Sequence, residues 1–123
     1  MNFELKQDQR AMINTVREVA QDKFKPNALK YMDGTFPWDN MRDLAHIGVL
    51  GMAVPEEYGG LGLPVFDTAL VLEEIAKACY VTAMAVMGEV GVQCKILDNF
   101  APESIKRRLL PGVCTAETIL AVT

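Results

Sequence analysis

Hydrophobic residues in the N-terminal half of the chain recur every three to four positions, the spacing of amphipathic α-helices. The apolar side of the first predicted helix consists of Leu5, Met12, Ile13, Val16, Val19, Ala20 and Phe24. Pro26 should interrupt this helix, because proline lacks the backbone N–H that a helix interior requires. A second helix is predicted from Pro37 to Gly48. Its buried stripe should comprise Trp38, Met41, Leu44, Ala45 and Ile47.

A turn rich in glycine, residues 54–62, separates these helices from a more apolar C-terminal half. Pro55 should end any helix that approaches it, and glycines at positions 59, 60 and 62 permit positive φ and close backbone approach. The favoured interpretation is a rigid turn between two helices. The alternative, a phosphate cradle, lacks the preceding strand and the following Lys-Ser/Thr of that motif.

The third predicted helix has an apolar stripe from Phe66 to Cys79, while Glu73, Glu74 and Lys77 lie on its wetter face. Glu73 and Lys77 can pair because they are one helical turn apart. A catalytic role for the two adjacent carboxylates is disfavoured, since neighbouring residues on a helix point about 100° apart. A solvated or capping role is expected for both.

From Tyr80 to Leu97 the sequence is apolar on nearly every side, which predicts a helix that is buried all round. Glu89 is the exception, and an ionised carboxylate in that setting needs a partner or exposure, as a rim residue or a functional one. Gly88 and Gly91 each weaken a helix by about 1 kcal/mol relative to alanine. They are predicted to allow close approach of another helix or a ligand.

The last predicted helix begins at Pro102 and ends at Pro111-Gly112. The tail from Ile119 to Val122 favours a β-strand. A single strand is unstable in water, so this tail is expected to pair with a segment outside the chain, which looks truncated. The periodicity as a whole predicts an all-α fold, an orthogonal or up-down bundle of about five to six helices.

Composition excludes several classes of function. The chain has 123 residues and a net charge of −4, and its one basic run, at 106–108, is too short for a nucleic-acid interface. Cys79, Cys94 and Cys114 show neither a disulfide pattern nor zinc-site spacing and are expected to be reduced. His46 is the single histidine, which disfavours Ser-His-Asp triads and multi-histidine metal sites unless another chain contributes. Its surroundings predict a residue at a helix end.

Two observations bear on location. The N-terminal residues carry charges of both signs and no apolar core, so they resemble neither a signal peptide nor a transit peptide, and a cytoplasmic protein is expected. The longest uncharged run, residues 44–55, is shorter than the ~20 apolar residues that a membrane span requires. No membrane span is expected.

Seven features follow one another in a specific order. They are the early amphipathic helix, Phe-Pro-Trp at 36–38, Leu-Ala-His-Ile-Gly-Val-Leu-Gly at 44–51, the turn at 54–62, Leu-Glu-Glu-Ile-Ala at 72–76, Lys-Arg-Arg-Leu-Leu-Pro at 106–111, and Ala-Val-Thr at 121–123. In this order they resemble the N-terminal helical domain of acyl-CoA dehydrogenases. The resemblance implies that residues 1–118 form this domain and that 119–123 begin a β-domain missing from the chain.

The resemblance also implies an activity. Members of the family bind FAD and oxidise an acyl-CoA thioester at its α and β carbons, and an electron-transferring flavoprotein is the expected electron acceptor. A homodimer or homotetramer is expected for the intact protein. The carboxylate base of the family lies in a later domain, so no catalytic residue is expected in this chain, which alone should be inactive.

Five residues match family positions with a role. Val122 and Thr123 match the start of the flavin-contacting signature, and the other interpretation is an ordinary strand threonine. Ala83, Met84 and Met87 match positions that line the far end of the acyl pocket, and the other interpretation is plain helix core. Alternatives for the whole protein are a related flavin oxidase or monooxygenase on the same scaffold and a truncated, non-catalytic helical interaction module.

Overall fold

The computed structural model describes residues 3–123, and this part of the chain contains six α-helices and no strand. The helices are α1 (Gln7–Val19), α2 (Trp38–His46), α3 (Val65–Ala78), α4 (Tyr80–Val86), α5 (Cys94–Phe100) and α6 (Glu103–Cys114). A π-helical segment, Met87–Gln93, joins α4 to α5 without a break, so residues 80–100 form one continuous helix. We refer to residues 80–100 as the long helix. The predicted all-α fold is confirmed.

The chain does not break at Pro26. Helix α1 continues into a π-helical turn, Ala20–Phe24, and then into a 3-10 helix, Lys25–Tyr31. Pro26 lies in the first turn of that 3-10 helix, a position where helices tolerate a proline. The predicted interruption is therefore a change of helix type.

Helix α2 follows the predicted pattern except at its first residue. Met41 and Leu44 are fully buried, and His46 ends the helix as expected. Trp38 is the exception, because about half of its surface is exposed and its ring lies against Phe36 with centroids 4.7 Å apart. The prediction of a buried Trp38 is wrong, since the helix begins there and leaves one side of the indole uncovered.

The glycine-rich turn is rigid because its backbone groups are paired with one another. The N–H of Leu61 donates to the carbonyl of Gly51, that of Gly62 to Val54 and that of Leu63 to Met52, at 2.9, 2.9 and 2.7 Å. A Cβ added at Gly60 would collide with the carbonyl oxygen of Val54. The N–H groups of residues 58–63 all donate to backbone carbonyls, so the glycines offer no free donor to a phosphate, and the rigid-turn interpretation is supported.

The main core lies between α1, α2, α3 and the long helix. Its fully buried side chains include Val16, Phe24, Met41, Leu44, Leu50, Ile75, Val86 and Val90. A smaller cluster joins the glycine-rich turn to the long helix and α6 through Val54, Tyr58, Cys94, Leu110 and Val113. Leu97 of α5 and Leu120 of the C-terminal tail pack against this second cluster.

Two predictions about the C-terminal third are wrong. Helix α6 continues through Pro111 to Cys114, and the chain reverses later, at Ala116, where φ is 61°. The long helix is also not buried all round, because six of its apolar side chains are exposed. They are Tyr80, Met84, Met87, Val92, Ile96 and Phe100. No segment between residues 3 and 123 covers this side of the helix. The sequence shows that the helix is apolar, but it does not show which neighbouring segment will cover it.

Candidate functional site

A shallow apolar groove runs between α3 and the first half of the long helix. It has a volume of about 260 Å³ and is lined by Ala69, Leu72, Glu73, Ala76, Tyr80, Ala83, Met84 and Met87. On each helix the four lining residues are spaced three, one and three positions apart, so each set lies on one side of its helix. The structure thus brings together Ala83, Met84 and Met87, which the family resemblance assigns to an acyl pocket.

The three residues differ in exposure. Ala83 is buried, whereas Met84 and Met87 are each 41% exposed. Of the eight lining residues, seven are apolar or aromatic, and the charged one, Glu73, already pairs with Lys77 at 2.9 Å. An unbranched thioether adapts to irregular shapes, so such a groove suits a flexible apolar chain.

The second predicted site, Val122 and Thr123, lies at the end of the C-terminal tail. Both residues are exposed. The tail contributes Leu120, Ala121 and Val122 to a smaller groove of about 130 Å³ on the second half of the long helix. Within residues 3–123, the backbone N–H groups of residues 121–123 make no hydrogen bond, so they and the threonine hydroxyl are donors available to a ligand.

The two predicted sites use different parts of the same helix. The groove with Ala83 ends at Met87, whereas the groove under the tail begins at Gln93. The two linings share no residue. The long helix is therefore the element that relates the two sites to each other.

Glu89 lies between these two grooves and is buried, with only 2% of its surface exposed. Both carboxylate oxygens lie 3.1 Å from the backbone N–H of Leu120, which donates to them. Burial raises the pKa of Glu89, and the hydrogen bond from Leu120 partly opposes that rise. The interpretation as a rim residue is wrong, because this carboxylate faces inward and holds the tail.

Gln93 is a polar residue that sequence reasoning missed. Its side-chain oxygen is buried and, within the part of the chain that the structure describes, has no hydrogen-bond donor. An amide within an otherwise apolar helical stretch is the signal that could have identified it. Gln93 lies four residues after Glu89, in the same π-helical segment and beside the tail.

Glu74 is also buried, which corrects the expectation of a solvated residue. Its carboxylate accepts hydrogen bonds from Arg17 at 2.9 and 3.1 Å and from Lys77 at 2.8 Å. The Arg17 hydrogen bond, followed by the one from Lys77, lowers the pKa of Glu74 to about 2 against the effect of burial. Glu73 pairs with Lys77 as predicted, so the two carboxylates of α3 share one ammonium group, and the Arg17–Glu74 pair ties α1 to α3.

Burial makes two of the three cysteines, Cys94 and Cys114, unfavourable as nucleophiles. All three are free thiols. Burial, followed by the negative charge of Glu89, raises the pKa of Cys94 to about 12, and burial raises the pKa of Cys114. Between residues 3 and 123, no three His, Cys, Asp or Glu side chains form a group that could hold a metal ion. The same segment has no helix with the length and apolarity needed to span a bilayer.

Comparison with known proteins gives consistent relatives. The family model for the N-terminal domain of acyl-CoA dehydrogenases matches residues 6–117. The 3-sulfinopropanoyl-CoA desulfinase of Advenella mimigardefordensis is 38% identical over 95 residues, which are 76% of this chain and 22% of that protein. The probable acyl-CoA dehydrogenase YngJ of Bacillus subtilis is 33% identical over 121 residues, which are 97% of this chain and 32% of that protein.

Solved structures show the same fold. A chain in the structure described for the electron transferring flavoprotein of Acidaminococcus fermentans matches with a TM-score of 0.85 and 26% identity. The match covers 97% of this chain and 32% of that one. The chain thus spans a third or less of the length of these proteins.

Proposed function

This chain belongs to the family of acyl-CoA dehydrogenase N-terminal domains, and we propose that it is the N-terminal part of an FAD-dependent enzyme that desaturates an acyl-CoA thioester at its α and β carbons. The observation that carries the proposal is the apolar groove at Ala83, Met84 and Met87 in a chain of this family. Relatives named for acyl-CoA substrates support it.

The proposal assigns the chain only part of the enzyme. Residues 1–118 are the helical domain, and residues 119–123 begin a β-domain. The chain spans 22% and 32% of the two relatives described above, which leaves room for two further domains. The carboxylate that removes the α-proton belongs to the later part, so the 123-residue chain alone is inactive.

Within this scheme the groove receives the distal end of the acyl chain. Met84 and Met87 lie about one turn apart and are both partly exposed in the groove, so their bulk limits how far an acyl chain reaches. Ala83, which is buried below them, is small and leaves room for the chain. Acyl-chain length is therefore determined in part by this half of the long helix.

The tail is proposed to contact the flavin. The Thr123 hydroxyl and the N–H groups of Ala121 and Thr123, which make no hydrogen bond within residues 3–123, are donors that fit the oxygen and nitrogen acceptors on the edge of a flavin ring. FAD, when bound, would supply the hydride acceptor of the reaction. The residues of this chain would orient the ring and stabilise negative charge on it.

Partners and location follow from the same proposal. We propose an electron-transferring flavoprotein as acceptor, supported by the solved structure that carries that name. Assembly as a homodimer or homotetramer is supported by the exposed apolar side of the long helix. A cytoplasmic location is consistent with three free cysteines.

A second candidate function is supported by the relative with 38% identity, a 3-sulfinopropanoyl-CoA desulfinase. In that case the enzyme would break a carbon–sulfur bond, with water supplying a proton to carbon and oxygen to sulfur, so that a sulfinate leaves as sulfite. No flavin reduction is required by this balance. The same scaffold is also compatible with a flavin oxidase or monooxygenase and with a non-catalytic interaction module.

One experiment separates these functions. The longer protein that contains this chain is purified, its visible spectrum is recorded, and it is mixed without oxygen with acyl-CoA thioesters of increasing length. We expect a flavin spectrum that loses its oxidised band with an acyl-CoA and keeps it with free CoA as the control. Sulfite release from 3-sulfinopropanoyl-CoA without loss of the band would favour desulfination. A protein without flavin would contradict the desaturation, and a protein that releases no sulfite would contradict the desulfination.

A further inference from the structure

A buried polar contact links the middle of the long helix to the C-terminal tail. It joins Glu89 and Leu120, two residues that are 31 positions apart. Glu89 lies in the π-helical segment Met87–Gln93, where the N–H of Cys94 bonds to the carbonyl of Glu89, five residues back. Such π-helical segments occur frequently at functional sites.

A carboxylate is an unusual choice for this contact. Two carboxylate oxygens offer about four acceptor positions, yet residues 3–123 provide a single donor, the N–H of Leu120. A buried carboxylate with so few donors is unfavourable compared with a serine or asparagine in the same place. The structural result of burying Glu89 here is a fixed position for the tail.

Leu120 is held at two points. Its N–H bonds to Glu89, and its side chain packs against the cluster formed by residues of the glycine-rich turn, the long helix and α6. Beyond Leu120, residues 121–123 are exposed and make no backbone hydrogen bond within residues 3–123. Leu120 is therefore the last fixed residue before the proposed flavin contact.

The direction of the fixed N–H determines the direction of those that follow. In the β-strand conformation predicted for this tail, successive backbone N–H groups alternate from one edge to the other. If the N–H of Leu120 points at Glu89, those of Ala121 and Thr123 point away from the helix. This direction makes them available to a ligand on the outer side of the tail.

We propose that Glu89 is a positioning residue for the flavin site, because it fixes the N–H of Leu120 and thereby directs the N–H groups of Ala121 and Thr123 towards the flavin. The buried side-chain oxygen of Gln93, which has no donor within residues 3–123, lies in the groove under the same tail. It is the second polar group available to hold the tail. The contact between Glu89 and Leu120, which we call the anchor, rests on the structure alone. The orientation of the tail towards a flavin rests on the proposed function.

The anchor is tested first, in the 123-residue chain, by amide hydrogen exchange measured by NMR. In the native chain, we expect Leu120 to exchange more slowly than Ala121 by about 10-fold or more, because the N–H of Leu120 is hydrogen-bonded. Glu89→Ala should remove most of this protection, whereas Glu89→Gln should keep it, since the amide oxygen still accepts. Glu117→Ala, an exposed glutamate near the tail, is the matched control and should change nothing. Equal exchange of Leu120 and Ala121 in the native chain would overturn the anchor without any variant.

The positioning role is tested in the longer protein loaded with FAD. Glu89→Ala should raise the Kd for FAD by about 10-fold and change the flavin spectrum, and Glu89→Gln should restore both. Leu120→Pro removes the donor from the tail side, and Leu120→Ala is its control because it loses the same packing but keeps the N–H. A Kd that is the same for Leu120→Pro and Leu120→Ala would overturn the inference. A native protein that holds no FAD would contradict the proposed function, while the exchange result would still decide the anchor.

Discussion

Residues 51–63, which contain the glycine-rich turn, and the long helix at residues 80–100 differ in how many of their groups find partners within residues 3–123. In the turn, the N–H groups of Gly59 to Leu63 all donate to carbonyls of the same segment, at 2.7 to 3.2 Å. In the long helix, six large apolar side chains are exposed, and Gln93 has a buried acceptor with no donor among residues 3–123.

This difference distinguishes unusual residues that serve the fold from unusual residues that are available for function. The glycines of the turn are explained by contacts inside the domain, so they require no ligand. The methionines, Glu89 and Gln93 of the long helix are not explained by internal contacts alone. The proposed acyl contacts lie on this helix and the proposed flavin contacts lie on the tail beside it, where uncovered apolar surface and a buried amide oxygen without a donor in residues 3–123 occur together.

The largest expected effect comes from adding a side chain in the turn. Gly60→Val would place a Cβ against the carbonyl oxygen of Val54, which is backbone and cannot move aside without breaking the turn. We expect a loss of about 3 kcal/mol or more in the free energy of unfolding, measured by urea denaturation.

The matched control for this variant is Glu57→Ala in the same turn. Glu57 is exposed and pairs with Arg107 at 3.5 Å, an arrangement in which ion pairs contribute little. We expect a change within about 0.5 kcal/mol. Equal denaturation midpoints for the two variants would show that the turn does not depend on Gly60.

The second effect concerns Glu74, which ties α1 to α3 through its ion pair with Arg17. Glu74→Gln should lower stability at neutral pH by about 1 to 2 kcal/mol, less than for a fully buried pair, because Arg17 and Lys77 are half exposed. Glu73→Gln, which removes an exposed carboxylate from the same lysine, is the control and should have a much smaller effect.

The pH dependence of the Glu74 effect has a definite sign. The pKa of Glu74 in the folded state, about 2, lies below its ordinary value of 4.5, so its contribution is complete above pH 4.5. It is lost as the pH falls from there towards 2. The difference between native and Glu74→Gln chains should therefore shrink on acidification, and a difference that grows in acid would contradict the assignment.

Hydrophobic periodicity predicted most of the helices that pack against one another within the chain. The all-α fold, the burial of Met41 and Leu44, and the end of α2 at His46 follow from local spacing and are confirmed. Local rules are sufficient there because each helix buries its apolar stripe against a neighbour in the same chain. Pro111 shows their limit, because a favourable α6 continues past a residue that usually ends a helix.

The long helix shows what sequence alone could not predict. Its even apolarity suggested burial on every side, but coverage depends on neighbours that residues 3–123 do not supply. The solvated role expected for Glu74 and the rim alternative for Glu89 were wrong for the related reason that their partners, Arg17 and Leu120, are 57 and 31 residues away. The grouping of Ala83, Met84 and Met87 was predictable, because it depends only on helical spacing.

The third effect tests the groove between α3 and the long helix. In the longer protein, Met87→Ala would deepen the proposed acyl pocket by about three heavy atoms, and each buried methylene contributes ~0.8 kcal/mol. The kcat/KM ratio of a longer to a shorter thioester should rise several-fold. Met32→Ala, an exposed methionine outside the groove, is the control. An unchanged ratio in a folded, flavin-loaded variant would remove Met87 from the pocket.

The smallest effect contrasts a glycine of the long helix with Gly60. Gly91 was predicted to allow close approach of another helix or a ligand. Within residues 3–123 no other helix approaches it, and the atom nearest to an added Cβ is Cγ of Met87 on the same helix, at an ordinary 3.8 Å. Its φ is not positive, so alanine fits without strain. Gly91→Ala should therefore raise the stability of the 123-residue chain by about 0.5 to 1 kcal/mol.

The same substitution reports on what covers the long helix in the longer protein. If another segment packs closely at Gly91 there, the added methyl group will clash, and the gain seen in the 123-residue chain will turn into a loss. Thermal unfolding of native and Gly91→Ala forms of both proteins measures this directly. A gain of the same size in both would mean that this part of the helix stays uncovered, and a loss in the short chain would contradict the open helix face described here.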